Sequence, residues 1–466
     1  MSFSKPEVLI PRRSIFTDGQ SVGEWDTFSP LGSEATFSPP TPEVVPPTNP
    51  VPDVMLAAGL LDSLGTPHVW QTNLLNGLVI PTWDNRKNGL FYFTFAQDGN
   101  PLTPSYPASG VRVPRGSIFH SKAKGKGPPP HTIHWHGIEP TALNDGVGHC
   151  SIEIGDYTFQ WQPNYTGFYF YHCHRNTVQH FEFGLWGTLE IHPPDAFFAS
   201  LNPDGTLNSI PIGAGRDGKF RTAANLRGTP LEFLQDNFNP LDAPDPEGQF
   251  PTDPHAFTVP YDVEAMWAVD DRDSVWSDFA QDAFSYFPAP GSKPGVNDTF
   301  FQGFFNDYNA DYWFVTGFPV VPLDGVKKIP NIGAIAPDAV IPPGLTSGVG
   351  NSQVAINAHV GQTIMIRVLD GAYNMATTTF PLDVVVTAFD GRALGVPPFG
   401  NYNSAFLLPA GTPIQLGTAR RFEAIMHPTA PLNSFATVEF NDTQGRVTSK
   451  GLGPLLQTAR IPIVIT

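Results

Sequence analysis

Two β-sandwiches in tandem are what this sequence predicts, on three observations. The 466 residues include 50 Pro and 44 Gly, together about a fifth of the chain, which keeps long helices from being its main material. Short runs rich in aromatic and β-branched residues recur, bounded by Gly, Pro and Asn at the spacing of a Greek-key sandwich or barrel. Between those runs no amphipathic stretch is long enough for the helical crossovers of a parallel sheet. At 41% hydrophobic and 12% aromatic residues, real cores can be buried.

Taken in order, residues 1–54 form a proline-rich arm: eight prolines fall between positions 26 and 53, a density that favours extended backbone. Val54 to Leu64, after Asp53, reads as a short soluble helix. Residues 55–195 form the first sandwich, with strands predicted at Gly89–Phe95, Val111–His120, Thr132–His136, Tyr157–Gln162, Phe168–His174 and Gly187–His192. Residues 196–255 lose this pattern and turn rich in Asn, Asp, Pro and Gly, as an irregular connection would. Residues 256–466 form the second sandwich, with strands at Phe257–Val269, Tyr312–Gly317, Thr363–Leu369, Val384–Phe389, Phe422–Met426, Phe435–Phe440 and Ile461–Ile465.

Charge and composition exclude several classes. With 26 Lys+Arg against 43 Asp+Glu, a net charge of −17 removes the basic surface that nucleic acid requires. No apolar run reaches the roughly 18 to 20 residues of a membrane-spanning helix, so no membrane partner is expected. Arg12-Arg13 has the look of a twin-arginine export signal, but Thr17-Asp18-Gly19-Gln20 stands where the apolar stretch belongs. Two cysteines, Cys150 and Cys173, are too few for disulfides to staple the fold.

The thirteen histidines are unevenly placed. His131, His134 and His136 fall in H-T-I-H-W-H-G, and His172, His174 and His180 in Y-H-C-H-R-N-T-V-Q-H. On an extended strand residues two apart share a face, so His134 pairs with His136 and His172 with His174, while Cys173 points the opposite way. His131, at odd spacing from the other two histidines of its run, fits the face of Cys173. This alternation predicts two metal sites back to back: Cys173 with His131 and His180, and the imidazoles of His134, His136, His172 and His174. Thiolate with two imidazoles is a copper electron-transfer set, and His172-Cys173-His174 is then a covalent bridge between the sites. Zinc is disfavoured, because structural zinc recruits cysteines in C-x-x-C spacings that this chain lacks. His68, His120, His192, His255 and His359 are isolated and read as ordinary polar residues.

H-T-I-H-W-H-G-I, G-F-Y-F-Y-H-C-H and G-L-W-G-T-L-E-I, with Asn144-Asp145-Gly146-Val147 between, resemble the histidine motifs of the multicopper oxidase family, the cupredoxin-fold group of laccases that is related to two-domain copper nitrite reductases. Y-D-V-E-A-M-W-A-V-D-D-R-D, D-Y-W-F-V-T-G and A-F-D-G-R-A-L look like the second cupredoxin domain of such proteins. The resemblance implies tandem cupredoxin-like sandwiches with copper as cofactor: type 1 copper at His131, Cys173 and His180, and a type 2 or type 3 centre at His134, His136, His172 and His174. An electron donor, either a small molecule or a metal ion, would give single electrons to the first centre, and the second would reduce dioxygen. The family's axial methionine falls near Leu185, which cannot coordinate.

Asp145 is the candidate for moving the protons that such a reduction consumes, and His149, four residues later, is a candidate extra ligand or proton donor. The family's trinuclear cluster needs four His-x-His pairs and this chain has two; His359 and His427 are isolated in the second half. A smaller second centre is therefore favoured, which keeps open a nitrite reductase-like enzyme with nitrite as acceptor and a non-catalytic electron-transfer protein. By analogy such chains form homo-oligomers, trimers in particular, and are periplasmic or secreted.

Overall fold

The computed structural model describes residues 68–97, 105–114, 118–124, 131–138, 140, 144–147, 156–163, 167–174, 177–192, 262–281, 308–341, 351–394, 406–443 and 453–466. The expected arm, the helix at 54–64 and the connection at 196–255 lie outside the described residues.

The first half is a sandwich of two four-stranded sheets. Its strands are β1 (His68–Ile80), β2 (Leu90–Gln97), β3 (Ala108–Pro114), β4 (Ile118–Lys124), β5 (His134–His136), β6 (Asp156–Trp161), β7 (Gly167–His172) and β8 (Trp186–His192). One sheet runs in the order β2-β1-β4-β6 and the other β3-β8-β7-β5. The strand expected over 111–120 is in fact two, β3 and β4, which lie in different sheets. The break falls at Pro114-Arg115-Gly116, a turn signal inside the stretch expected as a single strand. β1 pairs parallel with β4, and β3 parallel with β8. Between each of these parallel neighbours the described chain passes through strands of the other sheet.

Strand β7 shows how the halves meet. Tyr169, Tyr171 and the following Cys173 belong to the interior of the first sandwich with Phe119, Trp135, Phe159, Trp161 and Leu185. Phe168 and Phe170, on the other face, belong to a larger apolar cluster that includes Trp267, Phe314 and Phe422 of the second half. Pleat alternation thus gives one strand two cores.

The second half contains β9 (Val263–Arg272), buried along its whole length, in a nine-stranded sheet beside the strands Tyr312–Val315 and Ile364–Asp370. A seven-stranded sheet faces it, centred on Leu432–Asn441 and Leu455–Ile465. Among the described residues helices are short: α1 (Thr177–Glu182) and α2 (Ser274–Gln281). No helix there is long and apolar enough to cross a membrane.

The halves are also joined by buried charge. Arg112 of β3 lies 2.7 Å from Glu190 of β8 and donates across the junction to Glu264 of β9. Arg367 donates to Glu264 at 2.8 Å and to Glu423. All five side chains are 9% exposed or less, so whatever charge they carry depends on its neighbours for the solvation it has lost. The turn at Asp390-Gly391 docks on β7: Tyr169 donates its hydroxyl to Gly391 O at 2.7 Å, and Gly167 fits because a Cβ there would lie 2.3 Å from that oxygen.

Candidate metal centre

Cys173 directly follows β7 and its thiol is fully buried. Its Sγ lies 3.2 Å from Nδ1 of His180 and 3.8 Å from Nδ1 of His131, and it accepts the backbone N–H of Thr132 at 3.5 Å. The two imidazoles stack, with centroids 4.3 Å apart. His131 enters from the segment before β5 and His180 from α1, so three separate pieces of chain converge on one point. Phe93 of β2 sets its ring edge-on to both imidazoles, at 5.8 and 5.5 Å. Burial pushes His131 down to about 4, so it presents a neutral lone pair at ordinary pH. Leu185 is fully buried in the same cluster as Cys173, and its carbonyl accepts the Cys173 N–H at 3.0 Å.

The second group lies on the opposite face. His134 and His136 of β5 pair in register with His172 and Phe170 of β7. His136 Nδ1 is 3.3 Å from His172 Nε2. His134, His136 and His172 place one donor atom each within 4.8 Å of one another, as do His131, Cys173 and His180. His174 stands at the edge of this set, its ring 5.0 Å from that of His134 and 5.6 Å from that of His172.

Neighbours fix how these rings present themselves. His134 Nδ1 is 2.6 Å from the Asp145 carbonyl and 3.2 Å from its carboxylate, so a proton held on Nδ1 leaves Nε2 as the donor. His172 Nδ1 is likewise 2.9 Å from the Cys173 carbonyl, which points its Nε2 into the cluster. The Asp145 loop is pinned at both sides: Asn144 accepts the N–H of Gln160 at 2.7 Å, and Thr132 donates to Gly146 O at 2.5 Å. Gly146 is required, since at φ +74° a Cβ would lie 1.7 Å from Ile133 O.

His136 stacks on Phe170, centroids 4.3 Å apart. Burial first, then the charge of Arg421 and of the His134 and His174 imidazoles, push His136 down to about 3; His172 is lowered by burial and the same imidazoles.

Each sequence-predicted ligand is therefore in one of two groups or beside one, and Asp145 is beside His134. His149 and Cys150 lie outside the described residues. His427 is buried, its Nδ1 3.3 Å from the Thr363 hydroxyl, and His359 is exposed beside Thr466. Sequence reasoning missed Arg421, whose guanidinium lies 5.3 Å from the centre of the Phe170 ring and gives hydrogen bonds to the carbonyls of Phe168, Ala419 and Asp390. It also missed Phe93. No local pattern marks either one, because both reach the site through tertiary packing.

One thiolate with two imidazoles suits copper, and so does an imidazole trio; neither resembles the cysteine-rich sets of structural zinc. Residues 103–196 match the family model for multicopper oxidases. No curated relative matches the chain. Among solved structures, the chain is similar to a blue copper oxidase from Nitrosomonas europaea at 16% identity, over 85% of each chain, with a TM-score of 0.44. It is similar to a multicopper oxidase from Campylobacter jejuni, described as a metallo-oxidase, at 11% identity over 90% of this chain and 61% of that one, TM-score 0.45. A laccase from Botrytis aclada follows at 14% identity over 84% and 52%, TM-score 0.43. Both donor groups fall inside the matched segment, so residues 103–196 carry a domain similar to that of multicopper oxidases, with a thiol and imidazoles that suit copper.

Proposed function

We propose that this copper oxidoreductase takes electrons one at a time from a small-molecule or metal-ion donor on the Cys173 side and delivers them to dioxygen on the imidazole side. His131, Cys173 and His180 would hold one copper, and His134, His136 and His172, with His174 at the edge, a second centre. Copper in these places supplies one-electron redox chemistry and an open position for the acceptor.

The chain's own residues do the rest. Cys173 and His172 are adjacent in sequence and point to opposite faces of β7, so the shortest covalent path between the groups is one peptide unit. The observation that carries the proposal is this pairing: a thiol 3.2 Å from one imidazole, and its neighbour's ring 3.3 Å from another on the reverse side. Burial keeps His131, His136 and His172 neutral and excludes water from the thiol. Asp145 orients His134 through its carbonyl, and its half-buried carboxylate, 3.2 Å from the same nitrogen, can hold a proton for the acceptor.

Substituting Cys173→Ser tests the proposal. It should abolish both the visible thiolate-to-copper absorption and donor oxidation while leaving the far-ultraviolet circular dichroism unchanged; donor oxidation at the wild-type rate would overturn it.

A second reading has nitrite as the acceptor. It is favoured by the tight set being three imidazoles, enough for one ion. Two coppers per chain with nitrite turnover would support it, and oxygen consumption without nitrite turnover would exclude it.

A further inference from the structure

Glu182 closes α1 two residues after His180 and is 1% exposed. Its carboxylate is received by the second half of the molecule. Oε1 accepts the Asp273 N–H at 3.2 Å, and Oε2 lies 3.6 Å from Nη1 of Arg272. Arg272, the last residue of β9, is equally buried; its Nη2 is 2.7 Å from Asp270, and Tyr106 donates its hydroxyl to the same carboxylate. The guanidinium carbon is 5.0 Å from the ring centres of both Tyr92 and Tyr106.

Arg272 also presses on the turn that follows α1. A Cβ on Gly184 would lie 2.9 Å from Arg272 Nη2 and 2.8 Å from the Tyr106 ring. That turn is tied to both sides of the thiol site: Leu185 donates its N–H to His180 O at 2.9 Å, and Leu185 O accepts from Cys173 at 3.0 Å. On its other side Phe93 donates its N–H to Phe183 O at 2.6 Å.

A six-residue helix cannot hold its own orientation in water, because nucleation costs more than so few hydrogen bonds return. The angle at which α1 offers His180 to Cys173 must come from what grips its end. One grip is Phe93 from β2. The other is the Glu182 carboxylate and the Gly184 turn, both seated on one guanidinium whose planar fork reaches Asp270 and Glu182 together. We propose that Arg272, acting through Glu182 and the Gly184 turn, is a positioning residue for His180, so that the second half of the molecule sets the ligand geometry of the Cys173 site. This rests on the reading of His131, Cys173 and His180 as copper ligands.

The test uses the full chain loaded with copper(II), comparing wild type with Glu182→Ala, Glu182→Gln and Arg272→Lys. The readouts are the thiolate-to-copper absorption band, the paramagnetic signals of the two centres and the copper affinity of each. Glu182→Ala should shift the band and weaken copper at the thiol site by about tenfold or more, the usual cost of losing a residue that orients a ligand, while the signal of the imidazole centre is unchanged. Glu182→Gln keeps an acceptor for the Asp273 N–H and should restore part of the affinity. Arg272→Lys keeps the charge but cannot span both carboxylates, and should resemble Glu182→Ala. An unaltered band and affinity in Glu182→Ala, even with a lowered unfolding temperature, would overturn the proposal by reducing the pair to a structural ion pair. If Glu182→Ala fails to fold, a wild-type band in both Glu182→Gln and Arg272→Lys overturns it equally. A wild-type protein without any thiolate band would instead sink the copper reading itself, and the positioning role with it.

Discussion

Acidification of the metal-free protein should weaken it through His136 by a calculable amount. Burial against Phe170, reinforced by Arg421 and the neighbouring imidazoles, pushes His136 from its ordinary 6.5 down to about 3. The folded state then refuses a proton that the unfolded chain accepts near 6.5. The contribution of His136 is accordingly intact above pH 6.5 and is lost as pH falls toward 3. Each unit costs about 1.4 kcal/mol, so between pH 7.5 and 4.5, of which about two units lie below 6.5, the loss is roughly 3 kcal/mol. His136→Gln has a similar size and does not titrate there. Urea unfolding of both metal-free proteins at the two pH values isolates the effect, because the other titrating groups are common to both. The advantage of wild type over the variant should shrink by roughly 3 kcal/mol on going to pH 4.5. A difference that stays constant to within about 0.5 kcal/mol would refute the account of a buried neutral imidazole.

Gly146→Ala, whose Cβ would meet Ile133 O at 1.7 Å, should cost about 3 kcal/mol or more and lower the unfolding temperature measured by calorimetry, because the obstacle is backbone. Burial outweighs the pull of Arg112 and Arg367 and pushes Glu190 up to about 8, so its contribution is full below 4.5 and is lost as pH rises through 8. The stability of Glu190→Gln relative to wild type should therefore rise between pH 5 and pH 9 in urea titrations; a falling or flat difference would contradict the assignment. Copper binds the folded chain in preference to the unfolded one, so removing it with a chelator should lower the unfolding temperature, corresponding to about 4 kcal/mol if copper had been present at a thousand times its dissociation constant.

The donor groups were legible in the sequence because their logic is local. A strand's period of two is enough to separate Cys173 from His172 and His174, and an odd spacing is enough to send His131 to the thiol. β7 obeys this rule residue by residue, with Tyr169, Tyr171 and Cys173 in one core and Phe168 and Phe170 in the other. Four of the seven strands expected in the second half lie within two residues of expectation, Val384–Phe389 without any shift, while Val263–Arg272, Leu432–Asn441 and Leu455–Ile465 differ by three to six residues at one end or both. What failed was anything set by the path of the chain through space. Pro114 and Gly116 mark a break in 111–120 but not that the chain changes sheet there, β1 was not singled out as a thirteen-residue strand, and the parallel pairs arise from sheet changes that no short window contains. For the same reason nothing in Y-D-V-E-A-M-W-A-V-D-D-R-D announced that Arg272 would meet the residue two places beyond His180.

The buried ladder through Arg112, Glu190, Glu264, Arg367 and Glu423 decides whether the half carrying the donor groups is portable. Excised on its own, that half would keep Arg112 and Glu190 but forfeit Glu264 and Arg367, and would bare Phe168 and Phe170 to water. An engineer who wishes to graft the thiol and its imidazoles elsewhere must transplant the seam as well, or first rewrite it in apolar side chains.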